Sequence, residues 1–159
     1  MTITVGDALP SVTLTKVTPD GPDQVSSKDF FAGRTVALFA VPGAFTPTCS
    51  ARHLPGFVEK REEFAAKGVD AIACTSVNDA FVMAAWAKSA EAEGITMLAD
   101  GNADFAQAVG LTMDGSKFGM GTRSQRYAML VEDGVVKQLH VEAPGEFKVS
   151  SADYLLGEM

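Results

Sequence analysis

The chain has 159 residues, 47% hydrophobic and 21% charged, with a net charge of −7. That length suits a single domain with a buried core, and the composition is that of a globular protein rather than a disordered one. The acidic balance argues against a nucleic-acid surface, which needs clustered Lys and Arg. No apolar run approaches the roughly 20 residues that span a bilayer. The opening residues also lack the basic start, apolar run and small-residue cleavage site of a secretory leader. The expectation is a soluble intracellular protein, placed in the cytoplasm, forming one domain over residues 1–159.

In chain order, residues 5–10 and then 12–15 read as a loop entering a short edge strand or hairpin. Ser27 to Phe31 reads as a single helical turn ended by Gly33. Thr35 to Val41 is a continuous apolar, β-branched run, which suits a strand buried on both faces. It stops at Pro42-Gly43. A helical pattern follows from Thr48 to Lys67, interrupted at Pro55-Gly56 and closed by Gly68. Val69 to Val77 is a second buried strand, and Asn78-Asp79 can cap a helix from Ala80 to Ala92. Met97 to Ala99 is a short strand, and Asp104 to Val109 a short helix ended by Gly110. Tyr127 to Glu132 and Val135 to Val141 flank Asp133-Gly134, a pair that favours the primed turn of a hairpin. Ser150 or Ser151 caps a last helix through Leu156. This order predicts an α/β fold with a central mixed β-sheet flanked by helices, in a thioredoxin-like arrangement.

The chemistry concentrates between Val41 and Ser50. There are only two cysteines, Cys49 and Cys74, in a chain long enough to need no disulfide staples. Cys49 follows a loop that leaves a buried strand and opens a helix. In a first helical turn it meets unpaired N–H groups and the positive end of the dipole, both of which favour thiolate over thiol. Pro47 suits the helix start, because the N–H it lacks would be unpaired there. Thr46 sets a hydroxyl three residues before the sulfur. The mouth of a strand in an open α/β sheet is also where ligands bind.

The run PGAFTPTC, Pro42 to Cys49, continued by residues 50–57, resembles the active-site segment of the type II peroxiredoxins. The wider family pattern P-x-x-x-T-x-x-C is met by Pro42, Thr46 and Cys49. The likeness continues through residues 74–82, 121–127 and 131–136, in the same order and spacing. A lone T-x-x-C would carry little weight, but colinear segments over almost the whole chain carry a great deal. The resemblance implies a peroxiredoxin variant of the thioredoxin-like fold, usually a homodimer. It implies a thiol peroxidase acting on hydrogen peroxide and alkyl hydroperoxides without a cofactor or metal. Cys49 is then the peroxidatic cysteine, oxidised from thiolate to sulfenic acid. Thr46 bridges peroxide and sulfur, and Arg126 lowers the thiolate pKa and binds the peroxide. Pro42 shields the pocket, and the N–H groups of Gly43 and Cys49 hold substrate oxygens.

Each assignment has a plainer rival. Cys74 lies in the apolar run Ala71-Ile72-Ala73-Cys74, where a cysteine behaves as a small hydrophobe; a resolving role is the minority reading. Arg52 and Arg123 compete with Arg126, which the resemblance ranks first. His53 stands four residues after Cys49, where a Cys–His hydrolase would place its general base, but the family that the chain resembles commonly carries this His without using it as a base. Cys49, His53 and Cys74 lack a fourth ligand and any C-x-x-C pair, which argues against a structural zinc site. His140 reads as structural. Phe45, Phe81, Trp86 and Phe118 read as core or dimer contacts, with Phe45 and Phe118 also placed at the pocket mouth.

Animal members of the family carry a further cysteine near the C-terminus. The matching stretch here, residues 147–152, has none. The sulfenic acid is therefore expected to be resolved by an external thiol, glutathione with glutaredoxin first and thioredoxin second. The alternative is a redox-sensing or chaperone-like binding module on the same fold, with slow turnover.

Overall fold

The computed structural model describes residues 2–159, with the side chain of Cys49 outside that description. A seven-stranded mixed sheet forms its centre, in the order β2-β1-β5-β4-β3-β8-β9. The strands are β1 (Thr13–Thr18), β2 (Gly21–Ser26), β3 (Thr35–Ala40), β4 (Ala71–Ser76), β5 (Ile95–Ala99), β8 (Tyr127–Glu132) and β9 (Val135–Val141). β3, β4 and β5 run parallel, with Leu38 beside Ala73 and Cys74 beside Met97. β8 pairs antiparallel with β3 and β9 with β8, while β1 and β2 form an antiparallel hairpin on the other flank. The mixed sheet expected from the order of elements is therefore present.

Helices cover both faces. α2 (Leu54–Glu59), α3 (Arg61–Ala66), α4 (Ala80–Ser89) and α6 (Ala152–Gly157) supply Phe57, Phe64, Trp86 and Leu155 to one apolar cluster, where they meet Phe39 and Cys74 of the sheet. α1 (Ser27–Phe31) and α5 (Asp104–Val109) bring Phe31 and Phe105 against Leu38 and Met129 on the other face. Central strands buried on both sides explain why β3 and β4 read as unbroken apolar runs.

Several local signals act as expected. The Asp79 carboxylate accepts from the Val82 N–H (2.9 Å) and starts α4, and the Ser151 hydroxyl accepts from Tyr154 N–H (3.1 Å) and starts α6. Asp133 and Gly134 both take positive φ, 48° and 76°, as a primed hairpin turn requires. β5 begins two residues before the expected Met97, at Ile95.

The helical run from the site loop differs in detail. It starts at Pro47 and widens into a π-type turn over Cys49–His53 before α2. Pro55 falls in the first turn of α2 without breaking it, and the interruption comes at Lys60, between α2 and α3. A π-type turn shifts the hydrogen-bond ladder by one residue, so a proline without an N–H is tolerated just beyond it. Two short strands, β6 (Thr112–Asp114) and β7 (Thr122–Ser124), pair apart from the main sheet and fall in a stretch with no sequence-level assignment.

Candidate active site

The loop from Pro42 to Thr46 leaves the C-terminal end of β3 and is tied down on each side. The Val41 N–H donates to Thr75 O (3.1 Å) at the end of β4. The Ala44 N–H donates to Asn78 Oδ1 (2.9 Å), which also accepts from the Ser76 hydroxyl (2.6 Å). Thr46 Oγ1 donates to Gly43 O (2.7 Å), which fixes the hydroxyl rotamer, and the Thr46 carbonyl accepts from Ser50 N–H (2.9 Å). Phe45 turns the chain with φ 65°, a costly conformation for a residue with a side chain. Gly43 is buried, and a methyl group there would stand 3.3 Å from Thr46 Cγ2 and 3.4 Å from Arg123 Nη1. The nearest neighbour of such a methyl is Met120 Cε at 3.1 Å, so the bare backbone of Gly43 lets these side chains pack close against the loop.

Arg123 sits on the far side of Gly43. Its Nη1 donates to Val77 O (3.0 Å) and its Nε to Met120 O (2.8 Å), so it clamps the turn after β4 to the β6–β7 connection. It is a brace for the loop rather than a solvated charge.

The side chain of Cys49, the expected nucleophile, lies outside the described residues. Its backbone opens the π-type turn that ends at His53. That turn is anchored to the core by Trp86, whose Nε1–H donates to Ser50 Oγ (3.0 Å).

His53 is buried among Phe39, Phe57 and Phe147, with ring centroids 4.8, 5.7 and 5.0 Å away. Arg126 Nη1 donates to its Nδ1 (2.9 Å), and its Nε2 faces Ser150 O at 2.9 Å. A guanidinium only donates and a carbonyl only accepts, so a single tautomer satisfies both: the neutral ring with its proton on Nε2. Burial, then the Arg126 charge, pushes its pKa down to about 3. With Nδ1 taken by Arg126 and Nε2 carrying the proton, His53 has no lone pair for proton abstraction, which removes the Cys–His hydrolase reading.

Arg126 immediately precedes β8 and reaches His53, 73 positions earlier, in the turn opened by Cys49. Its guanidinium also lies 5.9 Å from the Phe147 ring centroid. Arg52 also stacks over that ring, 4.7 Å from its centroid. Of the three candidate arginines, Arg126 is the one joined to His53.

Cys74 is fully buried in the middle of β4, facing the cluster of Phe39 and Trp86. His140 bonds Gln138 across the strand surface (2.8 Å) and meets Tyr154 edge to face. Trp86 is core, whereas Phe45, Phe81 and Phe118 are exposed, the last two by about three quarters. Sequence reading missed the links from Arg126 through His53 to Ser150, and from Trp86 to Ser50. Both join residues far apart in the chain, and only a Trp N–H or a buried His hints that a partner is needed.

Known proteins resemble this chain in sequence and in fold. The sequence matches the redoxin family over residues 4–156. It is 54% identical over 162 residues to peroxiredoxin-2E-2, chloroplastic, of Oryza sativa subsp. japonica, covering 98% of this chain and 72% of that one. It is 47% identical to peroxiredoxin-2B of Arabidopsis thaliana, covering 97% and 96%. The crystal structure of reduced Prx3 in complex with H2O2 from Vibrio vulnificus superposes with a TM-score of 0.95 at 53% identity, covering 98% of each chain. The mixed sheet, its flanking helices and these matches together establish that the chain belongs to the redoxin family, as a type II peroxiredoxin on the thioredoxin-like fold.

Proposed function

We propose that Cys49 is the peroxidatic nucleophile of this thiol-dependent peroxidase, with Thr46 and Arg126 as its partners and Pro42 and Gly43 as the walls of the peroxide site. The thiolate attacks one peroxide oxygen, forming an S–O bond as the O–O bond breaks. The departing oxygen takes up a proton and leaves as water or an alcohol, and Cys49 remains as a sulfenic acid. Charge moves onto the departing oxygen, and donors set in advance around it lower the barrier. The observation that carries this reading is the 2.9 Å bond between Arg126 and His53, which holds a guanidinium at the turn that Cys49 opens. The Thr46 hydroxyl, fixed on Gly43 O, supplies an oriented group three residues before the sulfur.

A second thiol must then regenerate Cys49. Residues 147–152 contain no cysteine, and Cys74 is enclosed in the sheet. An external thiol fits best, glutathione with glutaredoxin first and thioredoxin second. It attacks the sulfenic sulfur, expels water and forms a mixed disulfide, which a further thiol reduces. Hydrogen peroxide and alkyl hydroperoxides are the substrates of this reading, and one domain over residues 1–159 carries it. A homodimer is part of it, supported by the exposed rings of Phe45, Phe81 and Phe118. A cytoplasmic location is part of the reading, supported by the cysteine usage; no described helix is long and apolar enough to cross a membrane.

Cys49→Ser tests the reading. It should abolish peroxide consumption with glutathione and glutaredoxin supplied, and retained turnover would refute the assignment.

A further inference from the structure

Glu142 follows β9 and is 7% exposed. Its carboxylate accepts from a row of backbone donors: Lys148 N–H to Oε1 (2.9 Å) and Oε2 (2.8 Å), then Val149 N–H (2.8 Å) and Ser150 N–H (2.8 Å) to Oε2. The Ser150 hydroxyl adds a bond of 2.7 Å. Burial by itself would raise the Glu142 pKa, but these bonds from Lys148, Ser150 and Val149 outweigh it and hold the group below the ordinary carboxylate range. A carboxylate held by successive N–H groups in this way fixes a loop as a capping residue fixes a helix end.

What that loop holds gives the carboxylate its significance. Ser150 O accepts from His53 Nε2–H (2.9 Å), and His53 Nδ1 accepts from Arg126 Nη1 (2.9 Å). The Arg126 carbonyl in turn accepts from the Glu142 N–H (2.9 Å). The circuit therefore closes on itself. Glu142 fixes the backbone of Arg126 directly and its guanidinium through Ser150 and His53.

From this closed circuit we infer that Glu142 is a positioning residue for Arg126, setting the guanidinium before peroxide arrives. The inference rests on the reading of Arg126 as the peroxide-site arginine. An arginine side chain loses rotamer freedom when fixed, and a donor that must reorganise during reaction contributes less than one held in place. Without the carboxylate, the N–H groups of residues 148–150 lose their acceptor, the Ser150 carbonyl shifts, and the His53 ring is free to turn. A displacement of 1 Å at a reacting group costs up to about 100-fold in rate.

A double-mutant cycle in the full-length protein tests this, with the second-order rate constant for hydrogen peroxide and the Cys49 thiol pKa as readouts. Glu142→Gln should slow peroxide attack about tenfold and raise the Cys49 pKa. In the Arg126→Ala background it should change neither, because the group it positions is gone. A merely structural loss would lower the rate by the same factor in both backgrounds, and that result would overturn the proposal, as would a wild-type rate in Glu142→Gln. Should Glu142→Gln fail to fold, Ser150→Ala removes only the hydroxyl bond. It should give a smaller loss, about threefold, that again vanishes beside Arg126→Ala; its persistence there would overturn the proposal. A wild-type rate in Arg126→Ala alone refutes the arginine assignment itself and this proposal with it, whereas a slow Arg126→Ala beside an additive Glu142→Gln refutes only the role of Glu142.

Discussion

Arg126 and His53 show how one bond sets two properties. The guanidinium finds an acceptor inside the fold in a neutral imidazole, which leaves its charge unneutralised for the proposed peroxide site. Replacing Arg126 with Ala should lower the rate of peroxide attack by on the order of 100-fold, the usual cost of losing one preorganised donor. Stopped-flow measurement checks this, and an unchanged rate would mean that another arginine serves the site. His53 makes a separate prediction about acid. In the unfolded chain its ring takes a proton near pH 6.5, but in the fold only near pH 3. Between those values the unfolded state binds more protons, so this contribution to stability is complete above pH 6.5 and declines as the pH falls toward 3. Glu142, held below the ordinary carboxylate range, acts in the same direction: its contribution is present above the unfolded carboxylate pKa and disappears on acidification. Urea midpoints from pH 7 to pH 4 should fall by an amount equivalent to a few kcal/mol, and His53→Gln should flatten the part of that slope between pH 6.5 and 4.

At the scale of elements, the strand carrying Cys74 and the helical run carrying Cys49 behave differently. β4 lies between β3 and β5, and Cys74 packs there as a small apolar side chain. Cys74→Ala should cost about 1 kcal/mol in chemical denaturation and leave most of the peroxidase activity with an external thiol. Loss of turnover would instead make Cys74 the resolving thiol. The buried strands, the capped helices and the Asp133-Gly134 hairpin were legible in the sequence, because apolar runs, caps and primed turns are local signals. The route through Pro55 was not. Whether a proline breaks a helix depends on the ladder around it, and the widened turn at Cys49–His53 left no residue signature. β6 and β7 were missed because strands of three residues carry too little periodicity. In the site, the P-x-x-x-T-x-x-C spacing made Pro42, Thr46 and Cys49 legible, and Arg126 entered through resemblance. The brace at Arg123 and the circuit through Glu142 and Ser150 depend on contacts between distant segments, which no local pattern encodes.

For the molecule as a whole, the exposed Phe45, Phe81 and Phe118 bear on assembly. Sedimentation at micromolar concentration should show a dimer, and Phe81→Glu should shift it toward monomer. A wild-type monomer would contradict that part of the reading while leaving the chemistry of the site intact. The central claim is that one thiol, Cys49, meets the peroxide, and it can be examined directly. The protein is treated with one equivalent of hydrogen peroxide beside a sulfenic-acid trap, and its peptides are analysed by mass spectrometry. The account predicts the trapped adduct on the Cys49 peptide, replaced by a mixed disulfide on the same residue when glutathione is present. An adduct confined to Cys74, or no adduct while peroxide is still consumed, would contradict it.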